Sequence, residues 1–127
     1  MKKITLALTF FFSLSGFSQQ IIKNVDASTF KKLIDEKKYI LIDLRTNDEI
    51  KSKGMIEGAV QLDFLDKKAE DNIKKLEKKK SYLIYCASGG RSGDCAEFMK
   101  KEGFKEVINL EKGFISWKNK GFEIEMK

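Results

Sequence analysis

The stretch Ser81–Ser92, SYLIYCASGGRS, decides how the chain is read. Tyr82, Leu83, Ile84 and Tyr85 form a short apolar run with aromatic weight, the composition of a buried strand. Cys86 follows. Ala87, Ser88, Gly89 and Gly90 are small enough to turn tightly and to reach positive φ. Arg91 and Ser92 close the loop, and Cys95, Ala96, Phe98 and Met99 then recur with helical spacing. A cysteine at the carboxyl end of a strand, before a loop that feeds a helix, sits where open α/β sheets hold their ligands. Loop N–H groups can converge on an anion there, and the helix end adds positive potential. Such surroundings lower a thiol's pKa and make it a thiolate nucleophile. Arg91 adds a permanent charge with a planar fork of donors.

Working outward, Gln20 to Val25 reads as a first strand. Asp26 or Ser28 can cap a helix running through Lys37, with Phe30, Leu33 and Ile34 on one face. Tyr39 to Leu44, YILIDL, is nearly all apolar, as expected for a parallel strand buried on both faces. It ends at Asp43-Leu44-Arg45. Thr46 or Asn47 can cap a short helix from Asp48 to Lys53, and a loop, Gly54 to Ala59, leads to a strand from Val60 to Asp63. Asp66 to Lys79 carries a thin stripe of Ala69, Ile73 and Leu76, which predicts an exposed helix. Beyond the central strand, loop and helix, Gly103 fits a C-cap. Val107 to Leu110 reads as a strand and Gly113 to Lys120 as a last helix, with Trp117 in the core. Gly121 stops it, and Phe122 to Ile124 closes the chain. Strands alternate with helices, so the expected fold is a three-layer α/β domain with a mainly parallel central sheet flanked by helices.

Composition narrows the chemistry. The chain has 127 residues, 42% of them hydrophobic, enough for one domain with its own core. It has no histidine and two cysteines. That excludes Ser-His-Asp and Cys-His catalysis, histidine-ligated metal and a four-thiolate zinc site. Residues 1–18 are set apart from the fold. Lys2 and Lys3 precede an apolar run, Ile4 to Leu14, and Gly16, Phe17 and Ser18 fit a small-x-small cleavage pattern. The run is shorter than the roughly 20 apolar residues of a membrane span. The expected arrangement is a secretory signal peptide over 1–18 and a domain over 19–127, working in the periplasm or outside the cell; the alternative is an uncleaved anchor. Without Lys2 and Lys3 the formal net charge falls from +6 to +4. The lysines are interleaved with acids and only two arginines occur, so neither nucleic acid nor, after signal cleavage, a membrane is an expected partner.

Each candidate residue has a plainer reading beside the chemical one. Cys86 could be a core cysteine that ends a strand, but a strand end needs neither a glycine pair nor an arginine. Cys95, about one turn into the next helix, could resolve a disulfide with Cys86; its spacing with Phe98, Met99 and Glu102 favours packing against the sheet. Asp43 and Arg45 are either a surface ion pair of little worth or a brace for the neighbouring loop at the shared carboxyl edge.

With these residues in place, the chain resembles the single-domain rhodaneses of the sulfurtransferase superfamily, over roughly Val25 to Ile124. Cys86 to Ser92 matches the active loop C-x-x-G-x-R-[ST]. Asp43-Leu44-Arg45 resembles the D-x-R strand end, and Gly54 to Ala59 the segment G-H-I-P-G-A. Gly103-Phe104, Val107 to Leu110, Gly113 and Trp117 resemble the tail G-F-x-x-V-x-x-L…G-G…W. Met55, Glu57 and Lys112 depart from it. Four residues separate Cys86 from Arg91, whereas related dual-specificity phosphatases place five there to embrace a tetrahedral oxyanion. The resemblance implies a rhodanese-type enzyme that moves sulfane sulfur from a small donor such as thiosulfate to cyanide or a thiol, on a small molecule or a protein. Its intermediate is a persulfide on Cys86, with no other cofactor and no metal. Ala87, Ser88, Gly89, Gly90, Arg91 and Ser92 form the binding loop, with Arg91 facing the anionic donor and Asp43 and Arg45 in support. A persulfide carrier without turnover, or a Cys86/Cys95 thiol–disulfide protein, would use the same residues differently.

Overall fold

In the computed structural model, the structure describes residues 19–127. The expected signal peptide, 1–18, lies outside the described residues. The strands are β1 (Ile21–Val25), β2 (Ile40–Asp43), β3 (Val60–Gln61), β4 (Ser81–Tyr85) and β5 (Glu106–Leu110). The helices are α1 (Ala27–Asp35), α2 (Asn47–Lys53), α3 (Ala69–Lys74), α4 (Gly90–Lys101) and α5 (Gly113–Asn119). One five-stranded sheet runs in the order β1-β5-β4-β2-β3, and every pairing in it is parallel.

Side-chain parity divides the core. On β4, Tyr82 and Ile84, with Cys86 just beyond, join Ile73 of α3 and Cys95, Ala96 and Met99 of α4. Leu83 and Tyr85 face the other way, onto Phe30 of α1 and Phe114 and Trp117 of α5. This is the period-2 alternation of a strand covered on both sides. It sends Cys86 toward the α4 side and Tyr85 away from it. Trp117 occupies the core position expected of it, edge-on to Phe30 and Phe122, and its indole N–H donates to the Glu123 carbonyl at 2.9 Å.

Three boundaries differ from expectation. The helix expected over Asp66 to Lys79 spans only Ala69–Lys74. At its start the Asp63 and Asp66 carboxylates accept from the N–H groups of Leu65 and Lys68, holding turns in place of a helix. After Ile73 only Leu76 continues the apolar stripe, so little packing holds another turn. β3 is two residues long, because the chain past Gln61 bonds to the end of β2 instead: Leu62 N–H donates to the Asp43 carbonyl and Phe64 N–H to that of Leu44. The first helix ends at Asp35, and Lys37 adopts φ 57°. Asp26 is its cap, its carboxylate accepting from Thr29 N–H at 2.8 Å.

The strongest polar feature of the interior joins β2 to β4. Asp43 and Arg45 are 0% and 1% exposed. The Arg45 Nε and Nη2 donate to the two carboxylate oxygens of Asp43 at 3.0 and 2.8 Å, and Nη2 also donates to the Gly54 carbonyl at 2.7 Å. The Tyr85 hydroxyl donates to Asp43 at 2.6 Å and accepts from Ile56 N–H at 3.0 Å. Burial and the Asp43 carboxylate beside it push the Tyr85 phenol up, so it stays a donor. The surface-pair reading of Asp43 and Arg45 is thereby corrected: the pair is interior, and it anchors the 54–56 segment. That segment is also bonded by the tail, in a two-way antiparallel bridge between Met55 and Glu125 at 2.8 and 2.7 Å.

Removing one partner of a buried pair strands a charge, at a cost of about 3–5 kcal/mol. Asp43→Ala is therefore expected to lower the unfolding free energy from urea titration by that amount, seen as a lower midpoint with an unchanged m-value. A change below about 1 kcal/mol would refute the structural weight given to this pair.

Candidate active site

The order β3-β2-β4-β5 reverses direction between β2 and β4. The loops after these two strands diverge there and leave a crevice at the carboxyl edge, the position where open α/β sheets bind ligands. Cys86 ends β4 on one side of the crevice. The N-terminus of α2 lies on the other.

The loop wraps the sulfur. Cys86 Sγ accepts from Gly89 N–H at 3.1 Å and from Ser92 N–H at 3.3 Å, and the Ser92 hydroxyl lies 3.3 Å away. Gly90, Arg91 and Ser92, read from sequence as the end of the loop, form the first turn of α4. Ser92 therefore offers one of the helix's unpaired N–H groups to the sulfur. Burial is the largest influence on Cys86 and pushes its thiol up. The Ser92 hydroxyl and the N–H groups of Ser92, Gly89 and Ser88 together outweigh it and hold the thiol below its ordinary value. Cys86 is only 1% exposed, so a reactant must be small or must present its sulfur at the end of a slender arm.

Two glycines make this curvature possible. Gly89 has φ 107°, and a Cβ there would lie 1.9 Å from the Glu111 carbonyl oxygen. Gly113, at φ 66°, lies against the loop, where a Cβ would meet the Ala87 carbonyl at 2.5 Å. This contact lets α5 take the loop's carbonyls: Phe114 N–H donates to Cys86 O at 2.8 Å and Ile115 N–H to Ala87 O at 3.1 Å. With the carbonyls occupied on the outer side, the N–H groups are free to face the sulfur.

Arg91 is placed differently from the sequence expectation. Its guanidinium is bidentate to Glu49, with Nη1 and Nη2 donating to the two carboxylate oxygens at 2.7 and 2.8 Å. The ion pair bridges the crevice from α4 to α2. Glu49 was not a candidate from sequence. Its available signal is the capping-box spacing Thr46-x-x-Glu49, which the structure forms. The hydrogen bonds from Arg91 hold the Glu49 carboxyl down at about 2.

Asp43 and Arg45 make no contact with Cys86. Their link to the loop runs through Phe114, whose ring lies 4.0 Å from the Arg45 guanidinium carbon and whose N–H holds the Cys86 carbonyl. Of the motif departures, Met55 is buried in the braced segment and Glu57 is exposed. Cys95 is buried in the α4 core and unpaired. Burial first, and the negative charge at Cys86 second, push its thiol up to about 12. A cavity of about 780 Å³ lies on the other face of the sheet, lined by Tyr39, Leu41, Leu83 and Phe122 among others, and no residue of the Cys86 loop borders it.

A parallel α/β sheet whose central strand ends in a cysteine cradled by backbone N–H groups defines a class of α/β domains with a cysteine site at the carboxyl edge. Comparison makes the class specific. The Rhodanese-like domain family matches residues 26–120, and the chain belongs to that family. A sulfurtransferase of Allochromatium vinosum is 30% identical over 105 residues, covering 82% of this chain and 95% of the relative. A thiosulfate sulfurtransferase of Coxiella burnetii is 31% identical over 87 residues, covering 68% and 78%. Among solved structures, a rhodanese-related protein of Thermoplasma volcanium superposes with a TM-score of 0.72 at 27% identity, covering 83% of this chain and 99% of its own.

The Ser92 hydroxyl has a measurable consequence. In wild type, the pH midpoint of Cys86 alkylation by iodoacetamide is expected to lie below that of a free cysteine measured alongside. Below that midpoint the thiol is protonated and the rate falls. Ser92→Ala should move the midpoint upward with the fold intact, and an unmoved midpoint would remove the hydroxyl from the account. Cys95 stays protonated between about pH 6 and 9, so the profile reports Cys86 alone.

Proposed function

We propose that the domain is a rhodanese-type sulfurtransferase that carries sulfane sulfur on Cys86. The observation that supports this best is the convergence of the Gly89 and Ser92 N–H groups and the Ser92 hydroxyl on one sulfur. The two backbone N–H donors, fixed in place before reaction, stabilise both a thiolate and the persulfide anion that replaces it without reorganising, and the Ser92 hydroxyl can turn to donate as well.

The Cys86 thiolate attacks the outer sulfur of a donor such as thiosulfate. A bond forms between Sγ and that sulfur, the donor's S–S bond breaks, and sulfite leaves with the electron pair. Cyanide or a thiolate then attacks the outer sulfur of the persulfide. The persulfide S–S bond breaks, the product leaves as thiocyanate or a new persulfide, and the Cys86 thiolate is restored. No redox partner or metal is required, because each step exchanges one nucleophile for another at sulfur. With residues 1–18 read as a secretory signal, this chemistry takes place in the periplasm or outside the cell.

The test is the intact mass of the reduced domain after brief thiosulfate treatment. Wild type and Cys95→Ala are expected to gain one sulfur, about 32 Da, removed again by cyanide. Cys86→Ser should gain nothing, and its turnover should fall to background. A gain in Cys86→Ser would refute the assignment. A loss of about 2 Da in wild type that vanishes in Cys95→Ala would identify a thiol–disulfide protein instead. Loading without turnover would identify a carrier.

A further inference from the structure

The turn from β5 into α5 lies against the active loop, and it carries Lys112 where the tail motif has the first of two glycines. A Cβ on Gly89 would lie 1.9 Å from the Glu111 carbonyl oxygen and 3.8 Å from Lys112 Cα. The N–H of the same Gly89 donates to Cys86 Sγ at 3.1 Å. Through this one residue, Lys112 Cα lies within about 10 Å of the sulfur, allowing for the bonds between the two contacts. The Lys112 side chain is exposed, and among the described residues no carboxylate pairs with it. Its ammonium is a compact charge on a flexible four-carbon stem, with the reach to meet a group held over the loop. Arg91 is less available, because Nη1 and Nη2 are spent on the two Glu49 carboxylate oxygens at 2.7 and 2.8 Å. Lys67 and Lys68 are also unpaired, but they belong to the turn before α3, where Lys68 N–H donates to Asp66. Glu111 is exposed beside Lys112, so the β5–α5 turn is neutral as a whole. An effect of Lys112 on a reactant therefore requires close approach rather than a long-range field.

Resting on the sulfur-transfer reading above, we propose that Lys112 determines donor specificity: it receives the charged end of a doubly anionic sulfur donor while the donor's outer sulfur meets Cys86. The charge that the sequence assigned to Arg91 is supplied from the β5–α5 turn instead. A dianion and a thiolate repel each other on approach, and an ammonium against the sulfonate end offsets that repulsion. The step is balanced as before: Sγ bonds to the outer sulfur, the donor's S–S bond breaks, and sulfite leaves with the electron pair. The ammonium stays with the leaving group, whose two negative charges it partly neutralises. A donor with a single negative charge gains less from the same contact, so Lys112 selects between donors by their charge.

The test follows, by intact mass, how fast the reduced domain gains one sulfur from thiosulfate and from methanethiosulfonate. The second donor is similar in size, carries one negative charge, and releases methanesulfinate by the same bond exchange. In Lys112→Gln the ratio of the two rates, thiosulfate over methanethiosulfonate, should fall about fivefold at low salt, the effect of one unit charge about 4 Å away in a water-like medium. Lys112→Arg should hold the ratio near that of wild type. At about 1 M KCl, where the screening length is about 3 Å, Lys112→Gln and wild type should converge. Lys67→Gln removes the same charge from the neighbouring turn and should leave the ratio where it is. Iodoacetamide is neutral and should alkylate the Cys86 thiolate equally fast in Lys112→Gln and wild type. An unchanged ratio in Lys112→Gln or an equal fall in Lys67→Gln would overturn the proposal. So would a Lys112→Gln variant slowed alike toward both donors and iodoacetamide, which would make Lys112 a prop of the loop. A wild type that takes sulfur from methanethiosulfonate alone would overturn this proposal and leave the sulfur-transfer reading standing. If neither donor loads wild type, that reading itself fails and takes this one with it.

Discussion

The carbonyl oxygens of Cys86 and Ala87 are bonded by the first N–H groups of α5, and the shape of the active loop depends on that exchange. A four-residue turn of small side chains, Cys86 to Gly89, has little packing of its own, so its conformation must be set by hydrogen bonds from outside. With two carbonyls held on the outer side, the N–H groups of Gly89 and Ser92 turn inward and meet on the Cys86 sulfur. Gly113 allows α5 to approach closely enough, and Gly89 lets the chain pass the Glu111 carbonyl. Cys86, its loop and the final helix are therefore one unit, although α5 begins more than twenty residues after Cys86.

The buried Asp43–Arg45 pair supports this unit from below. A charged pair in the interior is weak evidence for stability in itself, since desolvation opposes the Coulombic gain. Here Nε and Nη2 of the guanidinium donate to Asp43 and the Gly54 carbonyl, and its face lies over the Phe114 ring. The consequence is geometric. The pair fixes the 54–56 segment and the start of α5 relative to β2 and β4, and α5 in turn fixes the loop. Asp43 and Arg45 act on the sulfur through Phe114, at one remove.

The electrostatics of the crevice follow from a division of labour. Stabilisation of the thiolate is given to neutral donors, the N–H groups and one hydroxyl, which act at hydrogen-bond range. The one nearby guanidinium serves to join α4 to α2 through Glu49.

By itself the sequence determined the layer order, the central strand, the cysteine at that strand's end and the small-residue loop. Each is local: parity along Tyr82 to Cys86, the composition of Ala87 to Gly90 and the helical spacing from Cys95 to Met99 depend on neighbours within a few positions. The core roles of Trp117 and of Cys95 were legible for the same reason. Only the tertiary structure decided what the charged residues do. Glu49 and Arg91 are 42 positions apart and meet because β2 and β4 are adjacent, which no local pattern reveals. Asp43 and Arg45 read equally well as a surface ion pair or as a brace for the neighbouring loop until Tyr85, Gly54 and Phe114 are seen to enclose them. The short α3 is of the same kind, since side-chain turns at Asp63 and Asp66 outcompete a weak apolar stripe. Apolar periodicity is written along the chain, whereas the partner of a charge is chosen by whichever segments the sheet brings together.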